Sequence, residues 1–290
     1  MKTAKQLKDR VANMSGGDST KAQTLIRKYM MERFLARIEK SRYRNNFILK
    51  GGMLVAAIVG VEYRSTMDID TTVRQITLNK EEANKTIEEI LSVDLDDGLS
   101  YEIKKSEEIM EEHDYSGIRF TLAVTMDKLR DTIKLDISTG DQITPSAVVF
   151  SYPAMFDGEK ISIWSYNIET LLAEKIETVL ARATLNTRMR DFYDIHILWQ
   201  EHRDGISVET LNRALVKVMI KRGTYELIND SLEIMQEIAE SDYMRDNWQR
   251  YVKNNYYVGD LNWEDVCQTV DSLINEELSM KEDTDLVPMM

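Results

Sequence analysis

Two hydrophobic periods meet near residue 166, and together they limit what this chain can fold into. Before that point, "GIRFTLAVTM" alternates strictly, putting Ile118, Phe120, Leu122, Val124 and Met126 on one face. "DTIKLDIS" does the same with Ile133, Leu135 and Ile137, so both segments predict half-buried strands. After that point the apolar spacing is helical to the end. It predicts helices over 167–185, 189–201, 207–221, 224–240, 242–256 and 262–277, with Gly205 and Gly223 as punctuation. Upstream, the pattern predicts a helix over 20–40 ending near Ser41 and a strand-like "NFILK". A buried helix over 53–59 follows a Gly-Gly turn, then a strand over 68–73 and a helix over 80–92. The expected architecture is α+β: a mixed α/β domain over 1–165 with an N-terminal helix, and a helical domain over 166–290. The polar tail from Ser279 is expected to fray.

Composition narrows the function classes. The chain has 290 residues, 43% of them hydrophobic and 30% charged, which fits a globular protein with a large core. No apolar run approaches the roughly 20 residues that cross a bilayer. The N-terminal "MKTAKQLKDRVANMSGGDST" lacks the apolar stretch of a signal peptide. One cysteine, Cys267, excludes internal disulfides, and a cytoplasmic protein is expected. A formal net charge of −13 opposes bulk nucleic-acid binding. Three basic groups could still form local contacts or simply be solvated helix faces: Arg42, Arg44 and Lys50; Arg182, Arg188 and Arg190; Lys217, Lys221 and Arg222.

The chemistry concentrates in a few places. On a strand, Asp68 and Asp70 point to one face and Ile69 to the other. Two like charges so placed are either solvated at an exposed edge or bridged by a hard cation such as Mg²⁺ or Mn²⁺. Asp136, on the polar face of the second alternating strand, could complete a carboxylate set for phosphoryl transfer. Gly51-Gly52 is either an ordinary tight turn or a backbone cradle that aims helix N-terminal N–H groups at an anion.

Lys175 falls inside the apolar stripe Ile168, Leu171, Leu172, Ile176, Val179 and Leu180. Its stem either packs while the ammonium reaches water, or the ammonium meets a partner such as a nucleotide phosphate. Asp191 and Asp194 either complement a helix dipole, position Lys175, or bind the base or ribose of a nucleotide. His196 reads as structural, and neither His113 nor His202 forms a zinc spacing with it or with Cys267. No G-x-G-x-x-G, G-x-x-x-x-G-K-[ST] or G-x-S-x-G occurs.

Taken in order, "LKGGMLVAAIVGVEYRSTMDID", "KLDIS", "LLAEKIETVLAR" and "RMRDFYDIHIL" resemble the four motifs of the AbiEii/AbiGii toxin family. That family lies within the nucleotidyltransferase superfamily of polymerase-beta-like fold, and the resemblance spans roughly residues 45–200. It implies Asp68 and Asp70 as metal ligands, with Asp136 joining them or acting as base. It also implies Gly51 and Gly52 around a triphosphate, and Lys175, Asp191 and Asp194 at the nucleotide. Met53 departs from relatives, which often carry a small polar residue there.

The implied activity is Mg²⁺- or Mn²⁺-dependent transfer of a nucleoside monophosphate from a nucleoside triphosphate. The implied acceptor is tRNA, and the implied partner is a winged-helix antitoxin encoded nearby. The same chemistry on a small molecule or protein hydroxyl is an alternative, as is a nucleotide-binding module without turnover.

Overall fold

A computed structural model describes residues 1–60, 64–76, 79–111, 115–156 and 158–278, with side chains 110–111 and 115–116 also left aside. The tail from Ser279, residues 61–63 of the first motif and His113 lie outside the described residues. The chain divides into two compact units. The first comprises residues 1–58, 65–141 and 147–165; the second comprises 59–64, 142–146 and 166–290.

The first unit runs α1 (Ala4–Ser15), α2 (Ser19–Lys40), β1 (Phe47–Lys50), α3 (Gly51–Val59), β2 (Asp68–Val73), α4 (Lys80–Leu91), β3 (Ser100–Glu111), β4 (Tyr115–Met126), β5 (Leu129–Thr139), β6 (Val148–Pro153) and β7 (Lys160–Ser165). Among the described residues seven strands form one mixed sheet in the order β3-β4-β5-β2-β1-β7-β6. β2 runs parallel to β5 and β1 parallel to β7, while the other neighbours are antiparallel.

The period-2 pattern sorts this sheet into two faces. Ile69, Phe120, Leu122, Ile133 and Leu135 are fully buried on one of them. Tyr101 shares that face by register, donates its hydroxyl to Met30 O of α2 and sets its ring against Phe34. Each such side chain contributes about 1.5–3 kcal/mol by leaving water. The opposite face carries Lys50, Asp68, Asp70, Lys134, Asp136 and Arg119.

The second unit is helical: α5 (Ile168–Arg182), α6 (Met189–His202), α7 (Val208–Arg222), α8 (Ser231–Glu240), α9 (Asp242–Asn254) and α10 (Trp263–Ser272). Asn167 caps α5 by accepting from Thr170 N, and Ser207 caps α7 by accepting from Thr210 N. Gly223 closes α7 in the left-handed region at φ 67°.

Some expected bounds shift. α3 starts at Gly51, so the glycines form its first turn and not a separate turn before it. The expected helix 224–240 divides into a short 3-10 turn, Tyr225–Ile228, and α8. Asn229 and Asp230 lie between them, and such residues compete with helical backbone bonds. The α+β class is as expected, but α1, β3, β6 and β7 add elements that the hydrophobic pattern does not announce.

Candidate active site

On the polar face of the first unit, register places the acids side by side. Asp70 pairs with Asp136 across the parallel β2–β5 ladder, and Asp68 with Lys134. On the other side of Asp70 stands Lys50 of β1. Ile69, fully buried between Asp68 and Asp70, fixes the direction of both carboxylates. The strand geometry thus brings Asp68, Asp70 and Asp136 onto one face, as their spacing predicts.

Gly51 belongs to the same constellation. Its φ of 65° lies in the left-handed region, and a Cβ there would stand 2.1 Å from Asp70 Oδ2. Only glycine allows the Asp70 carboxylate this close to the first turn of α3. The partial positive charge of a helix N-terminus favours an anion at that spot. The glycine turn and Asp70 are therefore in direct contact.

Asp136 differs from its expected state as an open metal ligand. Arg119 Nε lies 2.7 Å from its Oδ1 and Arg119 Nη2 lies 2.6 Å from its Oδ2, a bidentate pair. Hydrogen bonding to Asp136 and the nearby charge of Asp68 hold the Arg119 guanidinium above the ordinary arginine range, against burial. Among the described residues no group of three His, Cys, Asp or Glu side chains converges on a common metal position. The donor chemistry nevertheless fits a hard dication: Asp68 and Asp70 are partly exposed carboxylates on one face, with a third in register.

Lys50 does not belong to a surface cluster with Arg42 and Arg44. It is buried, its Nζ is 2.8 Å from Asp141 Oδ2, and Ser138 Oγ donates to the same oxygen at 3.0 Å. Arg42 is exposed and pairs with Glu89 at 2.7 Å. Asp141, Ser138 and Arg119 all escape sequence reasoning. The one available signal for Arg119 is its place opposite the apolar stripe of β4.

In the second unit, Lys175 is buried in α5 and faces two acids of α6. Its Nζ is 3.0 Å from Asp191 Oδ1 and 2.7 Å from Asp194 Oδ2. Asp194 is fully buried and also takes Arg64 Nε at 2.6 Å and Nη2 at 3.2 Å. Arg188 Nε stands 3.1 Å from Asp191 Oδ2, close enough for an ion pair but poorly angled for a hydrogen bond.

Burial alone would depress the Lys175 ammonium; Asp194 and Asp191 outweigh it and keep that group above the ordinary lysine value. Burial likewise opposes charge on Asp194, but Arg64 and Lys175 hold its carboxyl below the usual range. Both acids thus form ion pairs with Lys175. Asn186, fully buried before α6, accepts from Arg188 N at 2.8 Å, and its Nδ2 has no hydrogen-bond partner among the described residues.

Two cations of the other expected basic groups, Arg188 and Arg222, are paired with acids. Arg222 pairs with Glu177 and lies near Glu174. Burial and the neighbouring Arg188 depress Arg182. His196 Nδ1 meets Thr269 Oγ1 at 2.8 Å and burial lowers its pKa, a structural setting as expected.

Residues 33–272 match the family described as nucleotidyl transferase AbiEii toxin, type IV TA system. The chain belongs to the AbiEii family. Every candidate residue from Gly51 to Asp194 lies inside the matched region, and membership makes the protein a nucleotidyltransferase. Among curated proteins none matches the chain. Two solved structures share its fold. One is a proposed nucleotidyltransferase from H. pylori, at 15% identity and TM-score 0.52, covering 88% of this chain and 95% of that one. The other is JHP933 from Helicobacter pylori, at 15% identity and TM-score 0.53, covering 88% of this chain and 92% of that one. At such identity the likeness concerns the fold alone.

Proposed function

We propose that this AbiEii protein transfers a nucleoside monophosphate from a nucleoside triphosphate to a hydroxyl of tRNA, with Mg²⁺ or Mn²⁺, and thereby arrests translation. The observation that carries the reading is the row of Asp70 and Asp136 on adjacent parallel strands, with Asp68 on the same face and Gly51 against Asp70. Asp68 and Asp70 would hold the divalent ion, with Asp136 as third ligand or as base. When bound, the ion supplies charge neutralisation at the phosphates.

In the reaction the acceptor oxygen forms a bond to the α-phosphorus, the bond to the β-phosphate bridging oxygen breaks, and pyrophosphate leaves. Where Asp136 is not a third ligand, it would take the proton of the acceptor hydroxyl once Arg119 has moved off its carboxylate. The first turn of α3, opened by Gly51 and Gly52, would bind phosphate through backbone N–H groups. Lys175 and Asp191 would hold the nucleotide, and Asp194 acts as a positioning residue for Lys175. Positioning and preorganised charge then account for most of the rate gain.

A cognate antitoxin, proposed as a winged-helix protein encoded nearby, would oppose this activity in the cytoplasm. Among the described residues no helix is long and apolar enough to cross a membrane. The net charge of −13 favours one second reading, in which the acceptor is a small cationic hydroxyl compound.

Inducible expression of wild type and Asp70→Ala tests the choice, with sequencing of tRNA 3′ ends. Growth arrest with extended 3′ ends in the wild type alone supports the tRNA reading. Drug resistance without arrest supports the second, and an arrest that persists in Asp70→Ala contradicts both.

A further inference from the structure

The polar face of the sheet carries a row of four charged residues across four adjacent strands. Arg119 of β4 pairs with Asp136 of β5, Asp136 with Asp70 of β2, and Asp70 with Lys50 of β1. The sign order is plus, minus, minus, plus. The two cations differ in setting. Lys50 is buried, and its ammonium is 2.8 Å from Asp141 Oδ2, an oxygen that also accepts from Ser138 Oγ. Arg119 engages both oxygens of Asp136, and its side chain is 38% exposed against 13% for Asp136. Arg119 is thus the more exposed member of its pair with Asp136.

A guanidinium fork matches a carboxylate in plane and in spacing, so Arg119 takes the oxygens a divalent ion would seek. Its positive charge also lies beside the acids that would share such an ion, Asp68 among them. We propose that Arg119 is a built-in counter-cation of the acid face, competing with the divalent ion for Asp136 and setting the ion concentration at which the face loads. This inference rests on the metal reading of Asp68 and Asp70. Arg119 is a positioning residue: it acts on the reaction through Asp136. When the ion arrives, the long stem lets the guanidinium swing off Asp136 toward solvent or substrate phosphate without any rearrangement of β4.

The opposite role is also chemically possible. A hydrogen-bonding partner can orient a ligating carboxylate and strengthen metal binding. The two roles give opposite signs. Mn²⁺ titration of the full chain without nucleotide, followed by electron paramagnetic resonance, separates them. The variants are Arg119→Met, Arg119→Lys, Asp136→Asn, the double variant Arg119→Met/Asp136→Asn, and Asp70→Ala, each checked for folding by its thermal midpoint.

Competition predicts that Arg119→Met binds Mn²⁺ about three- to tenfold tighter than wild type, as expected when one partly exposed charged pair is removed. Arg119→Lys, which keeps the charge but loses the fork, falls between them. In the Asp136→Asn background the Arg119→Met change has a smaller effect than in wild type, because only the charge acting on Asp68 remains to be removed. Equal or weaker binding by Arg119→Met overturns the inference. If wild type binds Mn²⁺, Asp70→Ala does not, and Arg119→Met matches wild type, only this inference fails. If no variant binds Mn²⁺, the metal reading fails with it.

Discussion

Asp70 reaches the first turn of α3 because Gly51 has no side chain, and that contact makes a sharp prediction. Gly51→Ala would place a Cβ 2.1 Å from Asp70 Oδ2 on a backbone at φ 65°. Backbone strain of this kind costs about 1–3 kcal/mol, and the displaced carboxylate abolishes transfer. Gly16 is the control. It has a similar φ of 59°, but nothing lies within 4 Å of a Cβ there. Gly16→Ala should lower stability by about 1 kcal/mol and leave activity intact, as thermal melts and transfer assays can check.

Asp194 carries a prediction with a pH signature. Arg64 and Lys175 depress its folded pKa, so its contribution is present above the unfolded value of about 3.9 and is lost as pH falls through the folded value. Lys175 is raised, so its contribution is present below about 10.4 and is lost as pH rises through its folded value. Asp194→Asn should therefore cost about 3–5 kcal/mol between about pH 4 and 10, and the gap to wild type should narrow under acid and also at alkaline pH, where Lys175 loses its proton. Denaturant titrations across that range give the result, and a pH-independent difference would contradict the coupling.

Asp68, Asp70, Asp136 and Lys175 were legible in the sequence because a known period fixes the face of a strand or helix residue. Arg119, Asp141 and Arg64 were not, because their significance lies in partners 17, 91 and 130 residues away.

At the scale of elements, β2 works as a two-sided part. Ile69 anchors it to the apolar face while Asp68 and Asp70 stand on the other. Ile69→Ala should cost about 2–5 kcal/mol and lower transfer activity even in the folded fraction, since the acids lose their shared anchor. Full activity per folded molecule would contradict that link.

β2, β4 and β5 follow cleanly from alternation. β3 does not, because a register shift between Ile103 and Lys105 breaks its period. Its glutamates and lysines suit an edge strand that must resist pairing with other chains. β6, the opposite edge, is short and mostly exposed, so it has little burial to leave a pattern. The helices after residue 166 were legible as amphipathic periods, with errors at helix ends and at the Asn229–Asp230 junction, where one expected helix is broken.

At the scale of the whole molecule, family membership and an acid face on a mixed sheet point to one activity in a strongly acidic protein. A negative net charge slows encounter with RNA, and added salt weakens that repulsion. Raising salt from low to moderate concentration should therefore change labelling of RNA far less than it does for a basic RNA-binding enzyme. A loss of tenfold or more over that range would place RNA contact on a basic patch with several phosphate contacts.

The most direct test of the central claim uses purified protein with Mg²⁺, each α-³²P-labelled nucleoside triphosphate in turn, and total tRNA. Wild type is set beside Asp70→Asn, which keeps the shape and removes the charge. The account predicts label on RNA with one or more nucleotides, pyrophosphate in equal amount, and neither with Asp70→Asn. Equal labelling by wild type and Asp70→Asn would contradict it.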